Sequence, residues 1–412
     1  MIASVLILVL GAVCFAAALN VFRPPRWPGP LALGAFFAGW LTGDLPLLQV
    51  LVQAALLAPL AAAGGLADWP GQLGMGLLLA TWALLAVAWR ESGQAHGAIA
   101  DALGEHGIAI EAADLPYRRL AWPFVFGHPD VERISGVPYA NVNGHTLKAD
   151  VFRPRTTRHD CPVMIFVHGG GWVVGFKQFQ GLPVLHRLAS EGWLCFSVSY
   201  RLAPGATFPD PLIDVKRAIA WVRENASGFG GDPDTLVIHG NSAGAHLASL
   251  AAVTANEPEL QPGFEDADTS VSACIPMYGV YDLTDTHGNW PHNQMALFIE
   301  ATLMKLPASR FDAYAMASPL HRVHGNSPPF FLIHGSRDTL VPVGESRTFV
   351  RVCREDHDLS VIYAEIPGGQ HALDIFPSRR TAAVVEGVAA YAEYIRVTRA
   401  EQRQEEDMAD WS

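Results

Sequence analysis

The sequence has little charge, and it lacks the motifs of several large enzyme classes. Only 17% of its 412 residues are charged and 50% are hydrophobic. That composition excludes a disordered chain and is too apolar for an ordinary soluble protein. The net charge is −12, and no stripe of Lys and Arg occurs, so the sequence predicts no nucleic-acid partner. HExxH, Walker A and GxGxxG motifs are missing. Five cysteines without a CxxC pair indicate buried free thiols rather than a disulfide scaffold.

The scarcity of charge is most pronounced at the N-terminus. Residues 1–90 carry only five charged side chains; these are Arg23, Arg26, Asp44, Asp68 and Arg90. Residues 1–22 have none, and they are long enough to cross a ~30 Å hydrocarbon core as a helix. A cleaved signal peptide is disfavoured, because no basic residue precedes this run and two more apolar runs follow it.

The two further apolar runs predict a multi-pass membrane region over residues 1–90. The run 31–66 is interrupted by Asp44 and Pro46, so it is either one tilted span or a broken hairpin. The run 71–89 is the third. The basic loop 23–30 is expected on the cytoplasmic side. Three spans, the favoured count, place everything after Arg90 in the cytoplasm, whereas two crossings by 31–66 would place it on the other side.

Beyond residue 90 the pattern changes to strands alternating with helices. Residues 91–130 read as a helical linker or cap, residues 131–398 as a catalytic domain, and residues 399–412 as a polar tail. A hairpin turning at Asn143-Gly144 is followed by short apolar runs rich in β-branched residues. The predicted strands are 131–140, 145–152, 162–168, 194–200, 235–239, 273–278, 329–334 and 359–366. The main predicted helices are 211–224, 243–253 and 381–397. Such alternation predicts an α/β fold with a mostly parallel eight-stranded sheet, whose functional loops lie at the carboxyl ends of the strands.

A nucleophile motif lies at one of these loops. Gly240-Asn241-Ser242-Ala243-Gly244 is a G-x-S-x-G between a predicted strand and a helix. A serine on such a turn adopts a strained backbone, and the flanking glycines remove Cβ clashes. A second loop, His168-Gly169-Gly170-Gly171-Trp172, follows another strand. The N–H groups of Gly170, Gly171 and Ala243 are the expected oxyanion hole.

A nucleophilic serine needs a base and an orienting acid, in the chain order Ser, acid, His. Asp338 follows one predicted strand, and His371 follows the next in a glycine-rich loop. Ser242, Asp338 and His371 are therefore the predicted triad. Asp374 and Asp232 are weaker candidates for the acid, because neither ends a strand between the nucleophile and the histidine. His168 is expected to brace the oxyanion loop.

These motifs together resemble the hormone-sensitive-lipase-like carboxylesterases and acetyl esterases of the α/β-hydrolase superfamily. The resemblance covers residues 130 to 395 and rests on HGGGW at 168–172, YRLAP with FP at 200–209, GGDP at 230–233 and GNSAG at 240–244. Asn241 stands where the family usually has Asp, and Ala245 where it usually has Gly. The resemblance implies an α/β-hydrolase fold with a small helical cap, here preceded by transmembrane helices.

The expected activity is that of a membrane-anchored serine esterase or lipase that forms an acyl-enzyme and needs no cofactor and no metal. A cap is expected over 281–328, where MALFIEATLMKL either lines an acyl pocket or forms the cap's own core. Trp172 either contacts substrate or packs. An apolar cap and a membrane anchor favour a hydrophobic ester as substrate. HGGGW also fits kynurenine-formamidase-like amide hydrolases, and a catalytically silent membrane-anchored scaffold is the second alternative.

Overall fold

The structure, a computed structural model, describes residues 1–24, 30–111, 127–156, 158–291 and 294–410. Parts of several predicted regions lie outside the described residues: 25–29 of the basic loop, 112–126 of the linker, 157 of the catalytic domain, 292–293 of the cap, and 411–412 of the tail. The catalytic part is built on one eight-stranded sheet with the order β1-β2-β4-β3-β5-β6-β7-β8. Its strands are β1 (Val131–Val142), β2 (His145–Pro154), β3 (Cys161–Val167), β4 (Leu194–Val198), β5 (Gly231–Asn241), β6 (Ala273–Met277), β7 (Phe330–Gly335) and β8 (Val361–Ile366).

The sheet confirms the predicted α/β-hydrolase architecture. β1, β2 and β4 pair antiparallel, and β4, β3, β5, β6, β7 and β8 pair parallel. The first hairpin turns at Asn143 and Gly144, whose φ angles of 51° and 82° are those that a tight two-residue hairpin turn requires. Because β3, β5, β7 and β8 are parallel, the loops that follow them meet at one edge of the sheet.

Helices cover both faces of the sheet. Alternate residues of β3 separate the two cores: Ile165 joins one apolar cluster and Phe166 the other. The catalytic part contains α6 (Leu182–Glu191), α7 (Asp210–Asn225), α8 (Ala243–Val253), α9 (Gln294–Ile299), α10 (Phe311–Met316), α11 (Pro319–Arg322), α12 (Gly344–Glu355) and α13 (Arg379–Asp410). A π-helical turn, Glu300–Met304, continues α9, and 3₁₀ turns occupy Ala226–Phe229 and Pro258–Leu260.

The N-terminal region is helical and apolar. It consists of α1 (Ile2–Phe22), α2 (Pro30–Asp44), α3 (Pro46–Ala62), α4 (Trp69–Ser92) and α5 (Gln94–Gly104). Among the described residues, two helices are long and apolar enough to cross a membrane, Ile2–Phe22 and Trp69–Gly104. A third span is counted if the pair Leu33–Asp44 and Pro46–Ala62, which meet at 97°, is one broken span. Such apolar helices can serve as a membrane anchor.

Contacts among these helices define their directions. The terminal amine of Met1 and the Ser4 hydroxyl lie 3.4 and 3.2 Å from the Asp68 carboxylate, so α1 and α4 start side by side. They run parallel and touch at Gly11 and Gly74, where a Cβ on Gly11 would lie 2.4 Å from the Gly74 carbonyl oxygen. Small residues permit this close approach of two helices.

The third helix returns alongside α4 in the opposite direction. Trp82 donates its indole N–H to Gln53 at 3.0 Å, and Leu57 packs nearer the start of α4, against Leu78. Chain direction therefore reverses twice, and the ends of α1 and α4 lie at the same end of the helical bundle.

Two segments take a more specific form in the structure than the sequence predicts. The polar tail expected at 399–412 is helical as far as Asp410, because α13 continues and Arg403 binds Asp232 and Asp234 at 3.0 and 3.1 Å. In the cap, Ile299 and Leu303 are fully buried in the core, whereas Leu297 is 66% exposed. The apolar cap run therefore divides into a buried face, which joins the large core on one side of the sheet, and an outer face.

Candidate active site

The candidate nucleophile lies on the sharp turn between β5 and α8. Ser242 has φ 53° and ψ −120°, a conformation that is strained for a residue with a Cβ. The flanking glycines permit it: a Cβ on Gly240 would lie 2.3 Å from the Gly244 carbonyl oxygen, and one on Gly244 would lie 2.1 Å from that of Val167. The strand, the glycines and the helix start together present the Ser242 hydroxyl above the end of the sheet.

The structure brings the other two predicted triad residues to this hydroxyl. His371 Nε2 lies 2.9 Å from Ser242 Oγ, and His371 Nδ1 lies 2.6 Å from Asp338 Oδ2. The second oxygen of Asp338 accepts the N–H groups of Leu340 and Val341, each at 2.8 Å. These three side chains form one hydrogen-bonded chain in which the acid orients the imidazole toward the serine.

The environment keeps the acid ionised. Burial alone raises the pKa of Asp338, but the charge on His371 and hydrogen bonds from His334 and His371 outweigh burial and hold this pKa well below its usual range. Gln370 joins the acid and base loops, because its Oε1 accepts the N–H groups of Thr339 at 2.7 Å and His371 at 2.9 Å. Sequence reasoning missed Gln370, whose only signal is its position before the histidine.

The glycine loop after β3 lies against the nucleophile. A Cβ on Gly169 would lie 3.1 Å from the Ser242 Cβ, and a Cβ on Gly170 would lie 1.9 Å from the Val174 carbonyl oxygen. The φ angles of Gly170 and Gly171 are 125° and 59°, which favour glycine. Gly170 and Gly171 follow Gly169 in this loop, and Ala243 starts α8 directly after Ser242, so their role as the oxyanion hole stays a prediction.

The buried side chains of His168 and Trp172 hold this glycine loop in place. The His168 ring stacks on Tyr200 with centroids 4.4 Å apart, and the Tyr200 hydroxyl donates to the His168 carbonyl at 3.0 Å. Burial lowers the pKa of His168 to about 4, so this histidine is neutral. Trp172 is 1% exposed and donates its indole N–H to His246 Nδ1 at 3.2 Å. In this structure Trp172 packs inside the protein, and its contact with substrate stays a prediction.

The weaker candidate acids have other partners. Asp232 binds Arg403. Asp374 is fully buried, accepts the Asn241 amide N–H at 2.6 Å and accepts the Tyr278 hydroxyl on its other oxygen. Asn241 is one of the residues that depart from the family pattern, and its amide binds the buried carboxylate of Asp374.

Tyr278 connects this buried network to the triad. Its ring packs edge-on against His371 with centroids 4.6 Å apart. The Asn241–Asp374–Tyr278 network therefore supports the His371 imidazole through the Tyr278 ring. Sequence reasoning missed Tyr278 and this role of Asp374, because Asn241 and Asp374 are far apart along the chain.

The chain is similar to known esterases. The BD-FAE family model matches residues 149–352. Esterase LipQ of Mycobacterium tuberculosis is 36% identical over 389 residues, which are 88% of this chain and 84% of that protein. The probable carboxylic ester hydrolase LipM of the same organism is 35% identical over 401 residues, 91% of this chain and 90% of LipM.

A solved structure agrees at the level of the fold. The thermophilic esterase Est2 of Thermogutta terrifontis matches with a TM-score of 0.54 at 23% identity, covering 68% of this chain and 94% of Est2. The matches to the two mycobacterial relatives cover 88% and 91% of this chain, more than its catalytic part alone. On this relationship, the chain belongs to the hormone-sensitive-lipase-like esterases of the α/β-hydrolase superfamily and is a carboxylic ester hydrolase.

Proposed function

We propose that this protein is a membrane-anchored serine esterase whose catalytic triad is Ser242, His371 and Asp338. The observation that carries the proposal is the hydrogen-bonded chain from Ser242 Oγ through both imidazole nitrogens to Asp338. His371 Nε2 takes the hydroxyl proton as Ser242 Oγ attacks the ester carbonyl carbon. Asp338 keeps the Nδ1–H tautomer in place and stabilises the imidazolium.

Acylation and then deacylation follow, each through a tetrahedral intermediate. The oxyanion of each intermediate is held by the N–H groups of Gly170, Gly171 and Ala243. The imidazolium of His371 returns its proton to the leaving alkoxide, so the C–O bond breaks and the acyl group stays on Ser242. Water, deprotonated by the same imidazole, attacks the acyl-enzyme, and the acid product leaves with the serine restored.

We further propose that residues 1–90 are a three-span anchor and that the catalytic part lies on the cytoplasmic side. The parallel course of α1 and α4, with α3 returning beside them, supports three crossings. The ends of α1 and α4 then lie on the side of the catalytic part, as does Arg23 of the basic loop. Basic loops are retained in the cytoplasm, which supports that orientation.

The proposed substrate class is hydrophobic esters. Large apolar side chains are exposed beside the oxyanion loop: Val174 is 57% exposed, Phe176 59% and Phe179 60%. Phe298 of the cap lies 3.5 Å from the Cβ position of Gly171, and Leu297 beside it is exposed. Contiguous exposed apolar surface marks contact with a ligand or a membrane, and here it adjoins the proposed oxyanion hole.

The test is hydrolysis of p-nitrophenyl esters from acetate to palmitate by the full chain in detergent, with formanilide as an amide. We expect ester turnover that increases toward longer acyl chains and falls roughly 10⁴- to 10⁶-fold in Ser242→Ala. Ser190→Ala, on α6 outside the site, is the matched control and should retain full activity. Turnover that survives Ser242→Ala would refute the triad. Hydrolysis of the formanilide alone would favour an amide hydrolase, and a preference for acetate would refute the hydrophobic substrate.

A further inference from the structure

One helix of the apolar N-terminal region contacts the catalytic histidine. The Phe36 ring of α2 meets His371 edge-on, with centroids 6.0 Å apart and ring planes at 77°. Tyr278 packs against His371 at 4.6 Å from within the catalytic part. The imidazole therefore has an aromatic neighbour from each of the two parts of the chain.

The backbone beside the histidine is held by the same helix. Trp40 donates its indole N–H to the carbonyl oxygen of Ala372, the next residue after His371, at 3.0 Å. The Trp40 ring stacks on Phe36 at 5.4 Å and packs against Phe376 at 5.1 Å. Phe36, Trp40 and Ala372 form one small buried cluster, and the partly buried Leu340 of the acid loop packs against it.

A buried ion pair fixes the end of this helix. Arg380, at the start of α13, is fully buried and binds the Asp44 carboxylate at 3.1 Å and the Gly43 carbonyl at 3.2 Å. Asp44 is the charged residue that interrupts the second apolar run of the sequence. Ionisable residues in apolar segments are costly and are usually retained for function, and here the carboxylate secures α2 to the chain just after the histidine loop.

We propose that α2 is a positioning element of the active site, which holds the His371 loop through Phe36, Trp40 and Asp44. On this proposal the N-terminal region has two roles: α1, α3 and α4 form the anchor, and α2 lies across the end of the bundle, at 97° to α3, against the base of the triad. The proposal rests on the proposed function, because it assigns α2 a role in the same serine-esterase chemistry. Small displacements of a catalytic group cost large factors in rate.

The test uses two tryptophans that each donate one indole hydrogen bond. Trp40→Phe removes the bond to Ala372 and keeps an aromatic ring. Trp82→Phe is the matched control, because Trp82 donates to Gln53 within the anchor at the same 3.0 Å, away from His371. Both variants are made in the full chain, and hydrolysis of a short soluble ester, p-nitrophenyl butyrate, is measured so that access of lipid does not enter the result.

We expect kcat to fall roughly ten- to hundredfold in Trp40→Phe with KM within about twofold of wild type. The rate of labelling of Ser242 by a fluorophosphonate should fall by a similar factor, since His371 activates the serine in both reactions. Trp82→Phe should keep wild-type kcat, KM and labelling rate, even where its unfolding temperature falls as far as that of Trp40→Phe.

Two results would overturn the positioning role. One is wild-type kcat and labelling in a folded Trp40→Phe protein. The other is an equal loss of kcat in both tryptophan variants, which would mean that general loosening of the helices is responsible. Failure of the proposed function is distinguishable, because the wild-type protein would then show no turnover or labelling that depends on Ser242.

Discussion

Restoring the residue that the family usually has should destabilise this protein. In Asn241→Asp, a second carboxylate would stand where the Asn241 amide now lies 2.6 Å from Asp374 Oδ2. Both side chains are buried, Asn241 at 2% and Asp374 at 0% exposure. Burial already raises the pKa of Asp374, while hydrogen bonds from Tyr278 and Asn241 oppose that rise. The variant loses the second of these bonds and gains a like charge.

The expected loss of stability in Asn241→Asp follows from comparing two states of the neighbouring carboxyl groups, one with both ionised and one with a single proton retained. Two charges at this distance repel by about 6 kcal/mol at an effective dielectric constant near 20. Keeping one proton on the pair instead costs about 1.4 kcal/mol for each pH unit above a carboxyl pKa near 4, or about 4 kcal/mol at pH 7. Protonation costs less, so the folded variant retains one proton that its unfolded chain releases.

The stability of the Asn241→Asp variant therefore depends on pH. Above about pH 4 the folded variant binds one more proton than the unfolded variant, so its stability falls as the pH rises. Relative to wild type, we expect Asn241→Asp to lose little stability at pH 4 to 5 and about 4 kcal/mol at pH 7. The measurement is the unfolding midpoint of each full-length protein in the same detergent, at intervals from pH 5 to pH 8.

The matched control exchanges the two side chains. In Asn241→Asp with Asp374→Asn, an amide at 374 donates to a carboxylate at 241 and still accepts the Tyr278 hydroxyl on its oxygen. One charge and both hydrogen bonds are retained, so the double variant should recover most of the lost stability and its normal pH dependence. A single variant as stable as wild type at pH 8, or a deficit that does not change with pH, would refute the buried-carboxylate argument.

Two further predictions concern the oxyanion loop and its support. Gly170→Ala should lower kcat by about 10² to 10³-fold, because its Cβ would lie 1.9 Å from the Val174 carbonyl at a φ of 125°; wild-type kcat in the ester assay would exclude Gly170 from the oxyanion hole. Burial lowers the pKa of His246 to about 4, so the unfolded chain binds more protons between about pH 6.5 and 4, and wild-type stability should fall by up to roughly 3 kcal/mol over that interval on account of this group. His246→Gln should be less stable at pH 7 but lose less on acidification. If the unfolding midpoint falls equally in both proteins from pH 7 to pH 5, the loss of stability on acidification does not come from His246.

The fold was predictable because its signals are local. Each parallel strand is a short apolar run, such as β3 with every residue from Val163 to Val167 fully buried, and the hairpin turn is marked by Asn143 and Gly144. The grouping of Ser242, Asp338 and His371 was predictable because their order along the chain places each of them after a parallel strand of the same sheet, β5, β7 and β8. Chain order and strand ends, rather than the residue types alone, select these positions from 16 histidines and 40 acidic residues.

The contacts that support the triad were not predictable, because they join residues that are distant in sequence and whose local patterns indicate different roles. Trp40 fits an interfacial residue of an apolar helix, yet its indole binds Ala372. Asn241 is a departure from a motif, and its partner Asp374 gives no sign in the sequence that it binds an amide rather than the catalytic histidine. Such pairs depend on how loops pack in three dimensions, which no periodicity records.

The N-terminal helices and the catalytic part, which the sequence divides at residue 90, contact each other directly in the structure. Three arginines of the catalytic part bind the N-terminal helices: Arg337 pairs with Glu91 at 2.7 Å and lies over the Phe22 ring, Arg379 lies over the Trp89 ring, and Arg380 pairs with Asp44. Arg337 directly precedes Asp338, and the other two follow the loop that carries His371.

Because Arg380 is fully buried, removing its partner would leave an uncompensated charge at a cost of about 3 to 5 kcal/mol. The helices therefore stabilise the same two loops that carry Asp338 and His371. A catalytic part separated from residues 1–90 would keep Ser242 and the glycine loop intact, since neither touches these arginines, but would lose the contacts that hold its acid and base. On the proposed function, the N-terminal region therefore contributes to the geometry of the triad as well as to the anchor.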